Sequence, residues 1–163
     1  MHTYTELLEL LLDLDGIQQD PRYHPEGDAL YHSLQVYQHA RRATSDRQLL
    51  AAALLHDVGK SLDDGDHALS GACALDGLVP DRVLWLVEHH LDLLRHPRRT
   101  RALLLTTPRL ADLEQLRAWD LAGRDPNAFV MSPHEALNDL LSLPLEPLTD
   151  ADDGEAHDLE TRL

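Results

Sequence analysis

Leucine outnumbers isoleucine and valine together by thirty-six to seven in this chain of 163 residues. That ratio constrains the fold more than any other feature. Strands favour β-branched and aromatic side chains, whereas helices favour Leu, Ala, Arg and Glu. Phe, Trp and Tyr together reach only 4%. The expected class is therefore all-α, and the length suits one domain around one core.

Helix signals recur along the chain. Thr3 and Glu6 form a capping box ahead of a Leu7, Leu8, Leu11, Leu12, Leu14 stripe that Gly16 ends. Pro21, Pro25 and Gly27 mark a loop over 18–27. Asp28 caps a helix running to Ala43, with Leu30, Leu34, Val36 and Tyr37 as core candidates. Ser45 with Gln48 caps a short apolar helix over 49–57 that Gly59 terminates. After an acidic turn at 63–66, a helix over 67–76 follows. Asp81 caps a helix to Leu94, with Val83, Leu86, Val87, Leu91 and Leu94 facing inward. The stretch from Arg95 to Arg101 reads as a basic, Pro-containing corner. Helices over 102–105 and 109–122 come next, and Ser132, Pro133 and Glu135 start a last one ending near Leu143. The sum is a single bundle of about six or seven helices over residues 1–145. From Glu146 to Leu163 the chain is acidic and reads as a flexible, solvated tail.

The net charge of −15 sets limits on partners. A chain that grips a long phosphate backbone is usually basic, so extended nucleic acid is not an expected partner. A small phosphorylated substrate or nucleotide remains compatible, because a bound cation reverses the local sign. No apolar run reaches the ~20 residues that cross a bilayer, so no membrane is expected. Met1–Leu14 lacks a basic region and carries Glu6, Glu9 and Asp13, unlike a signal peptide. Cys73 is alone, which excludes a disulfide framework and a Cys-rich zinc site; the expected location is cytoplasmic.

Eleven histidines are the second anomaly. His56 and Asp57 end the apolar run Ala51-Ala52-Ala53-Leu54-Leu55. Burying two titratable groups unpaired costs several kcal/mol, about 2–7 for a neutral polar group alone. A divalent cation satisfies both; pairing of His56 with carbonyls at a helix end is the bland alternative. His32 lies among Leu30, Leu34 and Val36, and His67, His89 and His90 occupy later helices. Asp120 sits beside Trp119 and Leu121. Polar groups on the inner edges of successive helices point to a site inside a bundle. Imidazole and carboxylate donors suit Mn, Fe, Co, Ni or Zn, and suit Mg less.

In order, His32, His56-Asp57 and Asp120 resemble the HD superfamily of metal-dependent phosphohydrolases. Leu54-Leu55-His56-Asp57-Val58-Gly59-Lys60 is similar to its central motif. The nearest resemblance is to the HD domain of bacterial CCA-adding tRNA nucleotidyltransferases. His24-Pro25-Glu26-Gly27-Asp28 and Tyr31-His32-Ser33 match its start, and Leu116 to Arg124 resembles its end. The resemblance spans residues 20–126, with the polymerising half of those enzymes expected to be missing. It implies His32, His56, Asp57 and Asp120 as metal ligands. His67 and His90 match histidines that members with two ions use for the second, so one or two divalent transition-metal ions are implied. Asp112 competes with Asp120 for the fourth place, and His89 with His90. Tyr23 and Glu26 have core packing and a loop turn as ordinary explanations. His2, His24, His39, His96, His134 and His157 are set aside as non-ligands, His39 least securely.

Lys60 is the single lysine beside thirteen arginines. A compact ammonium three residues after Asp57 suits a phosphate oxygen and a developing transition-state charge. Asp57 and Lys60 are the candidate catalytic residues, with Asp57 or another carboxylate taking a proton from water. Arg95, Arg98, Arg99 and Arg124 are candidates for holding phosphate through guanidinium forks. The expected function is metal-assisted hydrolysis of a small phosphoester or nucleotide, of the 2′,3′-cyclic phosphodiesterase, nucleotidase or phosphatase type. The alternatives are a two-metal HD enzyme of another kind, either a dinucleoside polyphosphate hydrolase or a di-iron oxygenase, and a non-enzymatic nucleotide-binding regulatory module.

Overall fold

A computed structural model describes residues 2–62 and 65–145. The acidic tail, His157 and residues 63–64 of the acidic turn lie outside the described residues. Among the described residues there are nine α-helical segments, one 3-10 turn and no strand. They are α1 (His2–Leu12), α2 (Ala29–Ala43), α3 (Arg47–Leu55), the 3-10 turn (Val58–Ser61), α4 (His67–Leu75), α5 (Asp81–His89), α6 (Asp92–Arg95), α7 (Pro97–Leu104), α8 (Pro108–Ala122) and α9 (Pro133–Ser142). The all-α class inferred from the leucine excess holds.

The bundle is built around α3. Every residue from Leu49 to Leu55 is buried, so this helix is apolar on all sides. A helix of that kind is stable only when surrounded. It packs against α2, α5, α8 and α9. One core cluster joins Leu7 and Leu11 of α1, Leu34 and Tyr37 of α2, Leu86 of α5, Leu116 of α8 and Leu137 of α9. The C-terminal end of α3, and with it His56, is thereby fixed in the middle of the molecule.

Several helix ends differ from expectation. Asp28 caps α2 as expected, accepting from the Tyr31 amide. The cap of α3 is Asp46 rather than Ser45, because its carboxylate reaches both the Gln48 and Leu49 amides. The first helix begins at His2, so Thr3 falls inside its first turn. Pro80, not Asp81, precedes α5, with no side-chain cap. The expected 81–94 helix stops at His89, and a separate single turn, α6, follows; Leu94 is 55% exposed instead of inward. The supposed basic corner is largely helical, since Pro97 occupies the first turn of α7, where its missing N–H costs nothing. Ser132 and Glu135 form the full capping box at the start of α9.

Candidate metal centre

Three buried histidines are oriented by the same kind of contact. His56 follows the last residue of α3, and its Nδ1 lies 3.0 Å from the Ala53 carbonyl. His90 follows the last residue of α5, with Nδ1 2.6 Å from the Val87 carbonyl. His32, wholly buried in α2, places Nδ1 2.9 Å from the Gly123 carbonyl and 2.8 Å from Glu26 Oε1. A carbonyl only accepts, so each Nδ1 carries its proton and donates. This fixes the tautomer that turns Nε2 toward the interior, as outer partners of ligating histidines do.

The Nε2 atoms of His32, His56, His67 and His90 are all buried without a hydrogen-bond partner. Asp57 sits among them. Its Oδ2 is 3.3 Å from His56 Nε2 and 3.8 Å from His32 Nε2; its Oδ1 is 3.3 Å from His67 Nε2 and 3.5 Å from His90 Nε2. Asp120 Oδ1 stands 3.2 Å from His32 Nε2. Ligand atoms of His32, His56 and Asp120 lie within 4.8 Å of one another, as do those of Asp57, His67 and His90. Two triads therefore meet, with the Asp57 carboxylate reaching both.

Unpartnered buried imidazole nitrogens are expensive and rare. Four aimed at one space fit a divalent cation, and the nitrogen and oxygen donors suit a transition metal better than Mg. The charges agree. Burial alone would raise the Asp57 carboxyl, but His56 and Lys60 hold it well below the usual carboxylate range. Asp120 is held low in the same way by His32. For His32, burial works to lower the value; Asp120 and Glu26 outweigh it and raise the imidazole to about 9. The site favours positive charge at this point, whether a proton on Nε2 or a metal cation supplies it.

Close backbone approach brings the pieces together. A Cβ on Gly59 would lie 1.9 Å from the His67 carbonyl oxygen and 2.7 Å from the Gly71 amide nitrogen. Gly59 is thus no helix terminator. It lets the 3-10 turn press directly on α4, carrying Asp57 to His67. Gly123 is similar: a Cβ there would meet Val36 Cγ2 at 2.7 Å, so its carbonyl reaches His32 only because the side chain is missing.

The HD domain family matches residues 29–126, well over half of the chain. This chain belongs to the HD domain family. That superfamily comprises metal-dependent hydrolases, generally phosphohydrolases. Among curated proteins the chain is similar to the Multifunctional CCA protein of Methylococcus capsulatus, 49% identical over 49 residues, covering 30% of this chain and 12% of that protein. The Multifunctional CCA proteins of Thioalkalivibrio sulfidiphilus and Halorhodospira halophila are 43% identical over 53 residues and 42% over 59. Those matches cover 32% and 34% of this chain but only 13% and 14% of the relatives.

Within this HD domain, His32, His56, Asp57, Asp120, His67 and His90 converge. Asp112 does not: both its oxygens accept from Arg82, at 2.8 and 2.9 Å. His89 turns away, pairing with Asp92 and stacking on Trp85 at 4.5 Å. Lys60 enters the site, its Nζ 2.7 Å from Asp57 Oδ2 and hydrogen-bonded to Gln19 Oε1. Arg124 is at the mouth, donating to the Tyr23 carbonyl and lying 3.5 Å from Asp120. Arg95, Arg98 and Arg99 are exposed on α6 and α7 and do not line the metal cavity. That cavity, about 120 Å³, is lined by Asp57, Lys60, His67, His90, Arg117 and Arg124 among others. It shares His24, Lys60 and His67 with an adjoining vestibule of about 210 Å³, which Gln18, Gln19 and Asp20 also line.

Four residues at the site had no role assigned from the sequence, Glu26 being given a loop turn as its ordinary explanation. Glu26 is buried and accepts from both His24 and His32, each at 2.8 Å. His24, set aside as a non-ligand, lines cavity and vestibule alike. Gln19 holds Lys60. Arg117 donates to Asp120 Oδ2 at 3.0 Å, an i,i+3 pair that helical spacing alone would have revealed.

Proposed function

We propose that this chain hydrolyses a small phosphoester or nucleotide with the help of one or two divalent transition-metal ions. The observation that carries the reading is the convergence of four unpartnered buried Nε2 atoms on Asp57. His32, His56, Asp57 and Asp120 would hold one cation; His67 and His90, with the other oxygen of Asp57, would hold a second. When bound, such a cation supplies Lewis-acid activation of water and of a phosphoryl oxygen.

The chain's own groups do the rest. Arg117 and Arg124 line the mouth and offer forks to a phosphate. Lys60 holds Asp57 and supplies positive charge to the developing oxyanion. Asp57, kept ionised, stays available as a ligand through both oxygens. The arginine roles given by sequence to Arg95, Arg98 and Arg99 pass to Arg117 and Arg124. A cavity of about 120 Å³ admits a phosphoryl group and little more, so the remainder of the substrate lies in the vestibule. This supports a monoester or 2′,3′-cyclic phosphate of a polar alcohol such as a nucleoside. The second triad also fits the two-metal alternatives.

The test is metal analysis of chain purified without chelator, followed by turnover of nitrophenyl phosphates, 2′,3′-cyclic nucleotides and nucleoside monophosphates with Mn, Co, Ni or Zn. Asp57→Ala should lose both metal and turnover while keeping its helical circular dichroism. Metal-loaded protein that cleaves no phosphoester in this panel but consumes O₂ after anaerobic iron loading would overturn the reading.

A further inference from the structure

Six arginines of this acid-rich chain have carboxylate partners. Arg22, Arg41, Arg82, Arg101, Arg117 and Arg124 each pair with an Asp or Glu. Among the described residues Arg42, Arg47, Arg95, Arg98, Arg99 and Arg109 have none, and four of these six lie between Arg95 and Arg109, although acidic residues outnumber basic ones by 29 to 14. From Leu93 to Ala111 the sequence carries no acid at all. Positive charge is therefore concentrated at one corner, away from the metal cavity.

That corner is concave. A cleft of about 340 Å³ opens between α5, α7 and α8. On one side Trp85 stacks on His89 at 4.5 Å, 29° from parallel, and the Arg109 guanidinium lies 4.4 Å from the Trp85 ring centre. Across from α5, α7 contributes Arg99, Leu103 and Leu104. The acid lining the cleft is Asp92, already paired to His89 at 2.8 Å. The metal cavity shares none of these lining residues. A plain anion would need only the guanidinium groups; an aromatic wall facing aliphatic side chains fits a planar ring as well. The volume matches a small ligand of mononucleotide size.

We propose that this cleft is a second ligand site, taking a nucleoside monophosphate with its phosphate on Arg99 and Arg109 and its base against His89 and Leu103. The site is independent of the hydrolytic reading, and its test needs no turnover.

Equilibrium dialysis of labelled AMP against the full chain carrying Asp57→Ala, which keeps the probe intact, reads the site directly. AMP should bind saturably at one equivalent per chain. Arg99→Ala/Arg109→Ala in that background should weaken binding at least tenfold, while Arg22→Ala/Arg42→Ala, which removes the same charge elsewhere, should leave it unchanged. Inorganic phosphate should compete at least tenfold more weakly than AMP. Undiminished binding in the first double variant, equal loss in the second, or phosphate binding as tightly as AMP would each overturn the proposal. All four arginines project from exposed positions, Arg109 while lying over the Trp85 ring, so circular dichroism suffices to check folding.

Discussion

At the scale of single residues, Lys60 and Gly59 make the sharpest predictions. Lys60→Ala should lower phosphoester turnover by about 10²–10³-fold, the usual loss for one electrostatic donor, with metal content close to that of the parent protein. Lys60→Arg should restore part of it, since a planar fork replaces a point charge poorly. Unchanged turnover in Lys60→Ala would reduce the lysine to a structural clamp on Asp57. Gly59→Ala must displace backbone, because its Cβ would meet the His67 carbonyl at 1.9 Å. We expect a loss of about 1–3 kcal/mol or more, typical of overpacking, read as a lower urea midpoint, together with reduced bound metal. His90→Ala should lower the metal-to-chain ratio, and His89→Ala should not; the reverse result would exchange their roles. The candidate ligands stood out in the sequence as polar residues that interrupt apolar helix patterns. Glu26, His24 and Gln19 were not: they lie on the 18–27 loop, where no periodicity announces burial, and only folding brings them to His32 and Lys60.

Among the helices, starts marked by a side-chain cap were legible, and the break inside the expected 81–94 helix was not. Ser132 and Asp28 act through local hydrogen bonds that sequence displays. The break after His89 is invisible locally, since Leu91 and Leu94 continue the apolar spacing; the Nδ1 contact of His90 with Val87 marks where the helix stops. The docking of α9 on α2 gives a prediction of its own. Asp139 accepts from Tyr37 Oη at 2.6 Å and from Arg41 Nε at 2.9 Å. Burial pushes its carboxyl up, but these two donors more than compensate and hold it below the usual range. Its stabilisation is complete above the unfolded carboxylate value near 4 and fades as pH falls through the lower folded value. Asp139→Asn should therefore cost about 1 kcal/mol at neutral pH, and its denaturation curve should approach that of the parent chain in strong acid. An equal deficit at all pH values would show that the charge on Asp139 is immaterial.

For the molecule as a whole, the candidate ligands come from α2, the end of α3, α4, the end of α5 and α8, so one or two bound cations would together tie five elements through Asp57. At about 100 times its dissociation constant a cation should stabilise the native state by about 2.7 kcal/mol. For a chain of this size that is a rise of roughly 5–10 °C in thermal midpoint, measurable by scanning fluorimetry and abolished in Asp57→Ala. No shift with any of Mn, Co, Ni or Zn would argue against a metal held by folded protein. The carbonyls that aim the imidazoles carry one more consequence, for timing. Those serving His56 and His90 lie three residues back in the chain, so both rings are set as soon as their helices form. The one serving His32 belongs to Gly123, ninety-one positions away. The chain beyond it is held by Gln35, which grips the backbone of Asp125, and by Gln38, which grips that of Phe129 and Met131. A brief opening of that loop would take away one of the two acceptors that orient His32, leaving Glu26 alone to hold the ring, with every helix intact. A bound ion would then be held less firmly at His32 than at His56 or His90, and two glutamine clamps would bear on how long it stays.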